Sequence, residues 1–163
     1  MVRSIYHTED LFLPTRYNFA HRSLLIVRHT DNNNLVGELP EELSALATLQ
    51  RLDFDNNGLL FGAIPTTLGD LNQLEEINFG SNMFSGVIPE QLFSATNLIR
   101  IDLDNNNITG SIPSAIGNLQ DLDTLQLDFN FLTGPLESII GELSLLSKCR
   151  EYRLILPASQ VLF

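Results

Sequence analysis

Basic residues are scarce in this 163-residue chain: nine Lys and Arg stand against 20 Asp and Glu, a formal net charge of −11. That balance argues against a nucleic-acid partner, because phosphate binding needs a basic footprint. Cysteine is scarcer still. Cys149 is alone, so no internal disulfide can form and no thiolate zinc cluster can be completed. Long apolar runs are missing as well. Stretches such as Leu24-Leu25-Ile26-Val27 fall far short of the ~20 residues that cross a bilayer, so no membrane span is expected. The opening MVRSIYHTEDLFLPTRYNFA starts basic, passes through Glu9 and Asp10, and contains no unbroken apolar segment of the kind a secretory leader carries.

What the chain has instead is apolar residues in strict register, 44% of the total, enough to bury the core of one domain. The prolines Pro40, Pro65, Pro89 and Pro113 follow one another at intervals of 25, 24 and 24 residues. With leucine as the frame, repeats start at Leu25, Leu49, Leu74, Leu98 and Leu122, a decayed sixth starts at Leu146, and one insertion falls near Leu60-Phe61. The ninth place is always Asn: Asn33, Asn57, Asn82, Asn106 and Asn130. Gly37, Gly62, Gly86, Gly110 and Gly134 recur at one further place, which gives the consensus LxxLxLxxNxLxGxIPxxLGxLxx. Residues 1–24 are thus an N-terminal flank or atypical cap, 25–146 the repeats, and 147–163 a degenerate repeat with a C-terminal flank.

Each element of the consensus has a physical reading. The alternation in LxLxx marks a short strand with Leu52 and Phe54, Ile77 and Phe79, Ile101 and Leu103, Leu125 and Leu127 facing inward. One such strand cannot bury its face alone. Stacked coils bury it continuously and give a parallel sheet. The ninth Asn follows the strand, where its carboxamide can both accept from and donate to backbone groups that would otherwise be buried unsatisfied. The recurring Gly permits a turn that other residues resist, and the Pro leads into a short 3₁₀-like segment.

This pattern resembles the leucine-rich repeat, and more narrowly the 24-residue extracellular type of plant receptor kinases and polygalacturonase inhibitors. The I-P element narrows it. The resemblance covers about residues 25–146 and implies an α/β solenoid: a curved right-handed superhelix with a short-stranded parallel sheet on its concave face and 3₁₀ or irregular segments on its convex side. It also implies an extracellular or cell-surface location. Members at the cell surface usually carry caps with paired cysteines, which this chain lacks. Arg28 and Thr30 in the first repeat, and Cys149 and Glu151 in the sixth, occupy places where Leu, Ile or Phe is expected.

The candidate binding surface is the set of strand residues that alternate outward: Arg51, Asp53 and Asp55; Glu76 and Asn78; Arg100, Asp102 and Asp104; Gln126, Asp128 and Phe129. Adjacent strands lie ~4.8 Å apart, so equivalent residues form columns. The seventh-place column reads Asp31, Asp55, Gly80, Asp104, Asp128: an acidic stripe interrupted at Gly80, with a gap of roughly 10 Å between the Asp55 and Asp104 strands. The stripe can attract a cationic protein, peptide or Ca²⁺, or it can serve only to keep an exposed sheet from aggregating. From Asp31 to Leu145 there are 17 acidic residues against Arg51 and Arg100, whereas the flanks hold seven basic and three acidic.

No residue is read as catalytic, and no cofactor or metal is expected. His7, His21 and His29 all lie at or before the first strand, no Ser or Cys sits at a nucleophile elbow, and Asp pairs recur only with the repeat. Asp53-Phe54-Asp55-Asn56-Asn57-Gly58 matches the opening of a calcium loop, but Ile64 occupies the place of its bidentate Glu. Phe129 and Phe131 either anchor a partner or pack beneath the C-terminal flank. Asn107-Ile108-Thr109 is the only N-x-[ST] sequon, a glycosylation candidate if the chain is exported. The expected function is a non-enzymatic, monomeric recognition module that binds a protein, peptide or polysaccharide on its concave face. The alternatives are the ectodomain portion of a receptor-like kinase, or a structural surface or matrix protein.

Overall fold

The computed structural model describes residues 35–134 and the backbone of Glu151–Arg153. Asn33, Asp31, Arg28, Thr30, Cys149 and the three histidines lie outside the described residues. The first long sheet joins β2 (Arg51–Asp53), β4 (Glu76–Asn78), β6 (Arg100–Asp102), β8 (Thr124–Gln126) and β10 (Glu151–Arg153), all parallel and in that spatial order. Arg51 pairs with Glu76, Glu76 with Arg100 and Arg100 with Thr124, so the columns read from the repeat are real columns.

The alternation buries what it should. Leu52, Phe54, Ile77, Phe79, Ile101, Leu103, Leu125 and Leu127 are all buried, and the rings of Phe54, Phe79 and Phe84 stack through the core at 5.8 and 5.3 Å between centroids. The opposite wall is built from 3₁₀ segments at Glu41–Ala45, Thr66–Asp70, Glu90–Ser94 and Ser114–Asn118. Pro40, Pro65, Pro89 and Pro113 hold the extended conformation just before each. Their carbonyls accept the first 3₁₀ hydrogen bonds, from the N–H groups of Leu43, Leu68, Leu92 and Ile116, and the fixed φ of Pro prepares that geometry.

The convex side is more regular than the sequence suggests. A second parallel sheet joins β1 (Val36–Gly37), β3 (Leu59–Gly62), β5 (Met83–Val87), β7 (Asn107–Gly110) and β9 (Phe131–Leu132). Leu35, Leu60, Phe84, Ile108 and Leu132 point into the core from these segments, while Val36, Leu59, Phe61, Met83, Val87 and Phe131 are exposed. The alternation spans too few residues before the recurring Gly for a strand period to stand out. That Gly has positive φ in every coil, +75° at Gly110, where a Cβ would also lie 2.8 Å from a methyl of Val87.

Two registers differ from the 24-residue frame. The extra residue of the second repeat lies between Asn57 and the inward-facing Leu60, where Gly58 turns the chain at φ +65°, ahead of the Leu60-Phe61 position that alignment gives. At the other end, Tyr152 pairs with Leu125, so the sixth coil places its strand three residues later than the frame from Leu146 requires.

Candidate recognition surface

The Asn ladder is the scaffold of this surface. Asn57, Asn82 and Asn106 are buried and Asn130 is half-buried. Asn106 Nδ2 donates to Phe79 O, Leu103 O and Asp104 O at 2.9, 3.2 and 2.9 Å, which links its own coil to the preceding one. Asn130 repeats the pattern on Leu103 O, Leu127 O and Asp128 O. These bonds fix the loop that follows each strand, in which Asn56, Ser81, Asn105 and Phe129 all adopt positive φ near +50°.

Within that frame three of the acidic residues that alternation assigns outward are buried. Asp53, Asp102 and Asp128 are buried, at 8%, 9% and 4% exposure. Asp53 and Asp102 turn back on the chain: each accepts the N–H two residues on, of Asp55 at 3.4 Å and of Asp104 at 3.2 Å. This local bonding is a familiar habit of Asp next to a turn, and alternation alone does not reveal it. Asp55 and Asp104 remain half-exposed, and Asn105 Nδ2 donates to Asp104 Oδ2 at 2.8 Å.

Nor does Gly80 leave a gap. A Cβ at Gly80 would lie 2.5 Å from Asp104 Oδ1, 3.0 Å from Asp55 Oδ1 and 3.4 Å from Asp102 Oδ1. The missing side chain lets carboxylates of two neighbouring coils lean together over the strand between them. Burial pushes the Asp102 carboxyl up to about 6, against the pull of the Asp104 N–H; the Asp104 carboxylate raises it further, Arg100 opposes, and Asp55 adds a smaller push. Beside this cluster Asn78 is half-buried, and its Oδ1 has no hydrogen-bond partner among the described residues.

The starts of the same strands carry charges of both signs. Arg51 pairs with Glu76, whose other oxygen faces Arg100 Nε at 4.0 Å. An open groove of about 360 Å³ runs across this end, lined by Gln50, Arg51, Glu75, Glu76, Ile99, Arg100, Asp123 and Thr124. Alternation misses Gln50, Glu75, Ile99 and Asp123, which stand one place before their strands. They share this edge because Gln50 O takes the N–H groups of both Glu75 and Glu76, and Glu75 O those of Ile99 and Arg100, which bends each strand entry alike. Gln126 is half-buried at the far side, and Phe129 is exposed with Phe131 nearby, neither packed away. Asn107 is exposed on β7, away from this surface. No group of three or more His, Cys, Asp or Glu side chains suited to a metal ion occurs among the described residues.

The Leucine Rich Repeat family model matches three times, over residues 48–71, 73–95 and 97–119. No curated protein sequence matches the chain significantly. Among solved structures it is similar to the ectodomain of the plant membrane receptor kinase GASSHO1/SCHENGEN3 from Arabidopsis thaliana in complex with CASPARIAN STRIP INTEGRITY FACTOR 2. That match has 32% identity and a TM-score of 0.67, over 73% of this chain and 14% of that one. It is similar also to the Arabidopsis receptor kinase HAESA ectodomain bound to an IDA peptide hormone, at 39% identity and TM-score 0.67, over 75% of this chain and 20% of that one. The SOBIR1 receptor kinase ectodomain of Arabidopsis thaliana matches at 28% identity and TM-score 0.66, over 75% of this chain and 64% of that one. The chain thus spans between about a seventh and two thirds of the length of these proteins. Repeat spacing, Asn ladder, I-P turns and these structural likenesses agree: the chain is a plant-type leucine-rich repeat protein.

Proposed function

We propose that this chain is a non-enzymatic recognition module that binds a protein or peptide across the outward faces of β2, β4, β6 and β8, with a cationic side chain of the ligand seated among Asp55, Asp102 and Asp104. The observation that carries this reading is the meeting of those three carboxylates over Gly80. Like charges held close together are costly unless a counter-charge joins them. A Lys or Arg side chain entering from solvent supplies one and favours the ionised form of Asp102. The groove at the strand starts, with its Arg51–Glu76 pair, lies on the same sheet and gives an extended ligand a second, mixed-charge station. The ectodomains of GASSHO1/SCHENGEN3 and HAESA, similar to this chain, form complexes with CASPARIAN STRIP INTEGRITY FACTOR 2 and with a peptide hormone, which supports a peptide-sized ligand and an extracellular location.

The test is selection of a random 12-residue peptide library on the immobilised chain, followed by hydrogen exchange with and without a recovered peptide. The reading expects peptides enriched in Lys or Arg and protection confined to residues 51–56, 76–81, 100–105 and 124–129. Protection on the 3₁₀ side, or enrichment without basic residues, overturns it.

A further inference from the structure

We propose that Asn107 carries an N-linked glycan, which covers the apolar outer face of the second sheet. This rests on the reading of the chain as an exported recognition module. The sequon Asn107-Ile108-Thr109 lies on β7, and its three side chains divide as a glycan requires: Asn107 and Thr109 are exposed, while Ile108 is buried in the core. The carboxamide of Asn107 makes no hydrogen bond among the described residues, unlike the ladder Asn106 beside it, whose carboxamide is consumed by four backbone partners. A sugar on Asn107 thus costs the fold no bond.

The surroundings give the glycan something to cover. Asn107 pairs with Ser85, which Met83 and Val87 flank on β5, and Thr109 pairs with Phe131 on β9. Met83, Val87 and Phe131 are exposed, at 46%, 58% and 60%. Val36 with Leu59, and Phe61 with Met83, continue the apolar surface across β1 and β3. An exposed apolar face of this extent promotes association unless something shields it. At the place in its coil that Met83 and Phe131 hold in theirs, Asn107 is the polar interruption, in the middle of the patch. The apolar faces of the first sugar rings can lie on Phe131 and Met83 while the hydroxyls face water. Attachment follows ordinary chemistry: the Asn107 carboxamide nitrogen bonds to the anomeric carbon of a lipid-pyrophosphate-linked oligosaccharide, the anomeric C–O bond breaks, the lipid pyrophosphate leaves, and the nitrogen loses one proton.

The full chain, given a cleavable leader and an unstructured tail with one reporter sequon, is translated into microsomes. Two glycans on the parent and one on both Asn107→Gln and Thr109→Ala are expected. A parent chain with the reporter glycan alone has entered the lumen without modification at Asn107, and overturns the proposal independently of any ligand. Secreted parent and Asn107→Gln proteins are then compared for binding of a hydrophobic dye. Several-fold more dye on the variant is expected, and equal dye on both overturns the covering role.

Discussion

The Oδ1 of Asn106 accepts the backbone N–H of Phe84, in the preceding coil, at 2.9 Å. Asn57 and Asn130 make the same bond, to Leu35 and Ile108 at 3.2 and 3.0 Å. Asn82 does not: its Nδ2 reaches Phe54 O, Phe79 O and Gly80 O, but its Oδ1 has no hydrogen-bond partner among the described residues. The coil that should supply the N–H is the second, which holds the extra residue beside Gly58. One inserted residue has removed one rung of the ladder.

Substitution of the two asparagines separates the rung from the rest. Asn106→Ala should cost about 1–3 kcal/mol by leaving buried carbonyls and the Phe84 N–H unsatisfied. Asn82→Ala should cost less, by about 1 kcal/mol, because no accepted bond is lost. Urea unfolding of both variants measures the difference. Equal losses would show that the accepted bond contributes nothing.

Gly69 and Gly80 should behave oppositely when replaced by Ala. A Cβ at Gly69 would overlap the backbone carbonyl of Gln91 in the next coil, which cannot yield without shifting the 3₁₀ wall. Overpacking of that kind costs about 1–3 kcal/mol. At Gly80 the obstacles are ends of Asp side chains, which can swing away, so stability should change little while the carboxylate cluster opens. Thermal melts of Gly69→Ala and Gly80→Ala compare the two.

Asp102 makes stability depend on pH. Its carboxyl titrates at about 6 in the fold, above its unfolded value near 4, so the fold favours the neutral form. That contribution is complete below the unfolded value and is lost as pH rises through 6. Asp102→Asn keeps an acceptor for the Asp104 N–H and cannot ionise. It should match the parent at pH 4 and exceed it at pH 7 by on the order of 2 kcal/mol. Denaturant titrations at the two pH values check this, and a variant no better at pH 7 would contradict it.

Phe129 sits at φ +54°, a conformation bulky residues avoid, and is 58% exposed. Asn105 occupies the same place one coil earlier with φ +50°. Phe129→Asn should therefore stabilise the chain, by roughly 0.5–1 kcal/mol, and should weaken a ligand that uses the ring. Chemical unfolding and titration with a selected peptide read the two effects separately. A less stable variant would show that the ring packs in solution.

The fold was legible because its signals repeat. Leu, Asn, Gly and Pro at fixed offsets each mark a backbone event, and coincident copies leave the solenoid as the arrangement that buries every inward residue. The second sheet was not legible, because its alternation stops at Gly37, Gly62, Gly86, Gly110 and Gly134 after a few residues. The recognition surface was half legible. Period two assigns Asp53 and Asp102 to the outward side, but their bonds to the N–H groups of Asp55 and Asp104 bury them. Gly80 looked like a break in the stripe because spacing along a column counts Cα positions. The side chains of Asp55 and Asp104 cross that distance.

The most direct test of recognition by the carboxylate cluster is calorimetric titration of a library-selected basic peptide into the parent chain and into Asp55→Asn/Asp104→Asn, at low and high salt. Both substituted residues are half-exposed, so the variant should remain folded, which circular dichroism verifies. The account predicts that the double variant binds at least about tenfold more weakly, a loss of ~1.4 kcal/mol, and that the salt dependence of binding largely disappears with it. Unchanged affinity and unchanged salt dependence in a folded double variant would contradict it.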